Sequence, residues 1–106
     1  MIKAGFFTDK SGRIHGFRIS GHSMFADAGE DVVCAFVSSA AFMTANTVTD
    51  IMKAKAEAQA SDGLMTLSIS EDDVDRCQDI LEGLKLHLEQ TEEQYPKNLK
   101  VITTEV

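Results

Sequence analysis

The chain has 106 residues and a mass of 11.6 kDa, which predicts a single domain over residues 1–106. Hydrophobic residues at 43% and charged residues at 25% lie near the globular average and exclude a disordered chain. Ten basic against seventeen acidic side chains leave a net charge of −7, which argues against nucleic acid or an anionic membrane surface as a direct partner.

The elements follow in chain order. Ile2 to Thr8 reads as a strand, Asp9 to Gly12 as a turn, and Arg13 to Ser20 as a second strand in a hairpin with the first. The N-terminal segment has no long apolar core and no cleavage site, so no secretory signal is predicted. Gly21 to Asp31 has no usable period and reads as a loop.

Asp31 is a suitable N-cap for a helix that follows, which places Cys34 in the first helical turn. Val33, Phe36, Val37, Ala40, Met43, Thr44, Thr47, Val48 and Ile51 recur at three- and four-residue steps and form the predicted apolar stripe. Ala41 and Ala45 fall on a different stripe together with Cys34 and Ser38. Val32 to Thr49 carries no charge, but its serines, threonines and alanines are too polar and small for a spanning segment. It reads as a buried core helix, with no membrane association.

Ala54, Ala56, Ala58 and Ala60 alternate with polar residues, which is a strand period despite the helix-favouring composition. Asp62-Gly63 is a hairpin turn, and Met65, Leu67 and Ile69 continue the alternation beyond it. A second helix opens at Ser70 or Glu71 and runs to Gln94 with Val74, Cys77, Leu81, Leu84 and Leu88 as its stripe. Pro96 stops it, and Leu99 to Thr104 is the last strand. The order ββαββαβ defines an α+β fold, a mixed sheet packed with two main helices.

Two cysteines are too few for a disulfide framework, and Cys34 and Cys77 lack the spacing of a zinc ribbon or a thioredoxin motif. Reduced thiols fit a cytoplasmic protein. Cys77 lies within the stripe of the second helix and reads as core. Cys34 is the candidate nucleophile, because the thiolate is the reactive form. A helix N-terminus favours an anion by about 0.3–1 kcal/mol, while Glu30 and Asp31 disfavour it. A reactive Cys34 therefore needs a base beside it. Of the three histidines, His22 ends the second strand and opens the loop that leads back to Cys34, so the two can come within hydrogen-bond reach. Asp31 can cap the helix, orient His22, or do both, and Ser38 lies one turn beyond Cys34 on the same face. A metal site at His22, Asp31 and Cys34 lacks any short ligand pair, so no metal or other cofactor is predicted. The residues alone leave two other classes open. Cys34 could be a thiol redox sensor, or the Cys–His pair could be incidental in a binding module.

The segment Gly21-His22-Ser23 … Gly29-Glu30-Asp31-Val32-Val33-Cys34-Ala35 … Ser38 resembles the signature of the Prp family, the bacterial ribosomal-processing cysteine proteases. That pattern is a G-H dipeptide, about a dozen residues, and G-x-D-x-V-C-A-x-x-S, and every position is present. The resemblance implies a small α+β domain that forms homodimers. It implies one cleavage, removal of a short N-terminal extension from the precursor of large-subunit ribosomal protein twenty-seven, after an aromatic pair. It assigns the nucleophile to Cys34 and the base to His22, with Gly21, Asp31 and Ser38 supporting. In that setting the segment Ser23 to Gly29 is expected to act as a lid over the peptide, and the N–H groups of the first helical turn to serve as oxyanion donors. A non-catalytic ribosome-associated module is the alternative within that setting.

Overall fold

Alternation in the first strand becomes burial on one side of a sheet. In β1 (Ile2–Thr8), Ile2, Ala4, Phe6 and Thr8 are buried, while Lys3, Gly5 and Phe7 face the other way. The computed structural model describes residues 1–21 and 28–106, with residues 28–31 described by their backbone alone. Asp9 organises the turn that follows. Its carboxylate accepts from the Ser11 N–H at 3.0 Å, the Ser11 hydroxyl at 2.7 Å and the Arg13 N–H at 3.1 Å. β2 (Ile14–Ser20) returns antiparallel to β1, with Phe6 opposite Phe17 and their rings 6.3 Å apart. Each of those rings, fully buried, contributes roughly 1.5–3 kcal/mol of apolar transfer free energy.

The remaining elements are α1 (Ala28–Asn46), which ends in a π-turn over Thr47–Ile51, then β3 (Ala56–Ser61), β4 (Leu64–Ile69), two 3-10 turns (Glu71–Asp73 and Asp75–Cys77), α2 (Gln78–Gln94) and β5 (Leu99–Glu105). The sheet runs β3-β4-β2-β1-β5. Only β1 and β5 pair in parallel; the other three pairings are antiparallel, so the sheet is mixed as predicted. α1 and α2 lie on one face, where Val33, Val37, Leu81, Leu84 and Leu88 share a core with Phe6, Phe17, Ile19, Leu67 and Leu99. The opposite face carries no helix among the described residues. Both sheet edges are exposed to pairing, and the edge at β5 is blunted by Glu92, whose carboxylate accepts from the Val101 N–H at 3.3 Å.

Three sequence expectations need correction. First, α1 opens at Ala28, so Asp31 lies inside its first turn and is not the N-cap, and Cys34 is in the second turn. Two acidic residues at positions 30 and 31 suit a helix start there through the macrodipole. Second, the buried face of α1 is Val33, Val37, Ala41, Thr44, Ala45 and Val48, whereas Phe36 (48% exposed), Met43 (56%) and Ile51 (76%) point out. A helix pressed on a sheet accepts small residues at the closest approach, which brings Ala41 and Ala45 inward. Ile51 leaves the stripe because the π-turn, with the Met52 N–H donating to the Thr47 carbonyl at 2.8 Å, breaks the 3.6-residue phase. The segment Val32–Ile51 is long and apolar enough by length and composition to cross a membrane, and one-third of its most apolar window is buried. Length and composition thus do not exclude a spanning segment, against the sequence expectation, and the buried third is the face packed on the sheet.

Third, α2 does not run unbroken from residue 70. Ser70 accepts from the Asp72 N–H, and two 3-10 turns precede Gln78. Tertiary hydrogen bonds impose them. Asp73 accepts from the Lys55 N–H at 2.7 Å, and Gln78 grips both backbone groups of Ile14 at 2.7 and 2.8 Å. Arg13 reaches Glu71 at 2.7 Å and Asp75 at 2.9 Å. Val74, Cys77, Leu81, Leu84 and Leu88 are all buried, as their spacing predicts.

Candidate active site

The Gly21 position of the candidate site lies at the end of the sheet where β2 releases the chain. Gly21 follows Ser20 with φ +88°, a conformation that L side chains rarely adopt. Its N–H donates to the Gly63 carbonyl at 3.0 Å in the β3–β4 turn, and a Cβ there would overlap the Met1 carbonyl oxygen. The strand start at β1 and the turn before β4 thus hold the backbone of residue 21 from two sides. This is the physical reason for the glycine of the Gly-His pair. His22 and the segment 23–27 of the expected lid lie outside the described residues. The last two positions of that segment, Ala28 and Gly29, are the opening of α1.

Cys34 is partly buried against the core, with its Sγ 3.8 Å from the Ser38 Oγ one turn along α1. Either group can be the donor in that contact. The direction of this flank follows from its neighbours. Ala40, Met43 and Thr44 line a cleft with Ile80, Gly83, Leu84 and His87 of α2, and the Phe36 ring lies 6.4 Å from Tyr95. By helical spacing Cys34 and Ser38 occupy a different flank of α1 from the one that faces α2. Asp31 shares the first turn, and its side chain lies outside the described residues. The oxyanion expectation shifts as well. In a helix that opens at Ala28 the N–H groups without an acceptor inside the helix are those of residues 28–31, one turn before Cys34, whose own N–H is within the helical ladder.

Cys77, the second free thiol, is fully buried, and desolvation pushes its pKa up. It is inert by burial, as its place in the stripe predicts. No cluster of metal-ligating side chains occurs among the described residues. His15 is engaged elsewhere, with its Nε2 2.9 Å from Asp9, and His87 is an exposed residue of α2. Sequence reasoning missed the role of the β3–β4 turn in holding Gly21. The Gly63 carbonyl that does so is contributed by backbone and leaves no side-chain signal.

Among the described residues Cys34 is the thiol that is not fully buried, and its place beside the Ser38 hydroxyl suits a thiol-dependent hydrolase. The chain belongs to the family described as cysteine protease Prp, whose model matches residues 1–100, and it is a cysteine protease. It is 31% identical to the ribosomal processing cysteine protease Prp of Bacillus subtilis over 97% of either chain. Solved structures agree on the fold. The essential ribosomal processing protease Prp of S. aureus, crystallised with a substrate peptide, superposes with a TM-score of 0.88 at 21% identity, over 98% of this chain and 100% of that one. The same S. aureus protease with a covalently linked product peptide gives 0.85 at 23% identity over the same shares. A Streptococcus mutans protein gives 0.86 at 22% identity, over 100% of this chain and 99% of that one.

Proposed function

We propose that this chain is an endopeptidase that removes the N-terminal extension of large-subunit ribosomal protein twenty-seven, with Cys34 as nucleophile and His22 as base. The observation that carries the reading is the placement of Cys34. It is partly exposed, packed beside the Ser38 hydroxyl, on the helix that returns from the pinned Gly21. The name of the Bacillus subtilis relative, ribosomal processing cysteine protease, supports the substrate class.

His22 takes the Cys34 proton, and the thiolate attacks the scissile carbonyl. The tetrahedral oxyanion is met by N–H groups at the start of α1, with the Ser38 hydroxyl beside the sulfur. His22 returns its proton to the leaving amine, which departs as the mature N-terminus. Water, deprotonated by His22, then attacks the thioester and releases the extension as a carboxylic acid and Cys34 as thiol. No cofactor takes part.

The protease acts in the cytoplasm in this reading, where Cys34 stays reduced. It works as a homodimer through the outer flank of α1, where Val32, Phe36 and Met43 are each about half exposed beside the 260 Å³ cleft to α2. Incubation with the extended ribosomal protein and intact-mass spectrometry tests the reaction, and His22→Ala tests the dyad. The expected result is a single cleavage by the wild type, none by the variant, and slower iodoacetamide alkylation of Cys34 at neutral pH in the variant. Overlaid alkylation profiles across pH would remove His22 from the dyad. A wild type that leaves the precursor intact and instead consumes peroxide at Cys34 would place the chain among thiol sensors.

A further inference from the structure

The open face of the sheet has no part in the chemistry above. Lys3 on β1 and Lys100 on β5 are direct neighbours in the parallel pairing, so their Cα atoms are about 5 Å apart. Arg18 on β2 is opposite Gly5, one pleat along the same face. All three are exposed, and none of them pairs with a carboxylate among the described residues. Within the strands, Glu57 on the edge strand β3 is the one acidic residue on this face, three strands from Lys3. An unbalanced cluster of cations is therefore segregated on a chain of net charge −7.

Phe7 lies on the same face at one end of the cluster, four residues along β1 from Lys3 and one pleat beyond Arg18. Its ring is half-buried: Gly16 on β2 and Gly5 on β1 leave it uncovered on those sides, and Thr104 lies opposite it on β5. With Arg18 it forms a ridge between two shallow grooves of about 320 and 200 Å³. The larger groove is also lined by His15, whose Nε2 is 2.9 Å from Asp9, and by Val106; the rest of both linings is hydroxyl or apolar, as at Ser20, Thr66, Thr104 and Ile102. Phosphates require unpaired cations, and unpaired bases require an aromatic platform.

We propose that this face binds single-stranded RNA, with phosphates on Lys3, Arg18 and Lys100 and a base stacked on Phe7. The overall negative charge does not forbid it. The Debye length at physiological ionic strength is about 8 Å, and the thinnest dimension of the molecule is 19 Å, so the carboxylates of the helical side are screened from this face. An acidic protein segment would use the cations but not the exposed part of the ring.

Fluorescence anisotropy of labelled oligouridylate, titrated with the intact protein, tests the proposal. Binding is expected at low salt, with log K falling against log salt at a slope of about −2 for three phosphate contacts on a single strand. The triple variant Lys3→Gln, Arg18→Gln, Lys100→Gln should abolish binding while circular dichroism and peptide cleavage stay at wild-type values. Phe7→Leu keeps the apolar area and loses the aromatic face, and should weaken binding on the order of tenfold with the salt slope unchanged. RNA binding that survives the triple substitution overturns the proposal, as does no anisotropy change at low salt. Equal affinity for duplex RNA overturns the stacked base, and retention of labelled oligoglutamate in place of RNA assigns the face to an acidic protein segment.

Discussion

Gly21→Ala separates two effects that usually arrive together. The residue has φ +88°, and the left-handed conformation costs an L side chain about 1–2 kcal/mol. Its new Cβ would also overlap the Met1 carbonyl oxygen, a main-chain atom at the start of β1 that cannot swing aside. Overpacking of that kind adds about 1–3 kcal/mol. Gly12 is the internal control, because it has φ +86° and nothing within 4 Å of an added Cβ. Gly12→Ala should therefore lose only the conformational part, about 1–2 kcal/mol, and Gly21→Ala about 2–5 kcal/mol. With a urea slope near 2 kcal/mol per molar, the midpoint should fall by about 1 M or more for Gly21→Ala and by about half as much for Gly12→Ala. Activity should diverge further, since residue 22 follows directly on the displaced backbone. Well below the midpoint, kcat/KM for precursor cleavage should drop tenfold or more in Gly21→Ala, as a 1 Å misplacement of a reacting group can cost about a hundredfold. Gly12→Ala, at the far end of the β1–β2 hairpin, should cleave at the wild-type rate. Equal midpoints for the two variants would refute the overlap, and wild-type cleavage by Gly21→Ala would refute the link from this glycine to the base.

Three further outcomes can be checked independently. Cys34→Ala should abolish precursor cleavage in mass spectrometry with an unchanged unfolding midpoint, and Cys34→Ser should be inactive too, because the pair would not ionise a hydroxyl; cleavage by the alanine variant would sink the mechanism. Cys77→Ala should cost about 1 kcal/mol by urea titration through a small cavity and leave cleavage unchanged, while Cys77 in the native protein resists alkylation that Cys34 accepts; equal labelling would contradict its burial. Asp9 is held well below the ordinary carboxylate range by its bond to His15, then by Ser11 and Arg13, so it adds stability that is present above its unfolded value near 4 and is lost as the pH falls toward its folded value. Unfolding free energy measured between about pH 7 and pH 2 should thus fall more steeply on the acid side for the wild type than for Asp9→Asn, and parallel curves would remove the Asp9 network as the cause.

Most of the fold was legible in local pattern. Period-two alternation marked β1 with both its ends and β3 despite the alanines, and Asp62-Gly63 marked the β3–β4 turn. The 3.6-residue stripe from Val74 to Leu88 marked the buried face of α2. In β1 and α2 these signals are strong because each residue responds to a repeating, one-sided environment, whereas β3 is an edge strand exposed on both faces. The thiol and its hydroxyl neighbour were legible for a similar reason, since residues 34 and 38 share a helix face by spacing alone.

What the tertiary structure decided concerns partners that sequence distance hides. Ala41 and Ala45 face the core, and Phe36 and Met43 face out, because a sheet selects for close approach where a hydrophobicity pattern ranks only size and polarity. The turns before α2 are 3-10 because Arg13, Ile14 and Lys55, distant in sequence, claim the side chains of residues 71–78. The start of α1 at Ala28 moved Cys34 from the first turn to the second, and a helix start is set by which N–H groups find acceptors, a property no periodicity reports. Gly21 needs its glycine because the Met1 carbonyl just before β1 closes on it while the Gly63 carbonyl of the β3–β4 turn holds its N–H, and that meeting exists only once the sheet has formed.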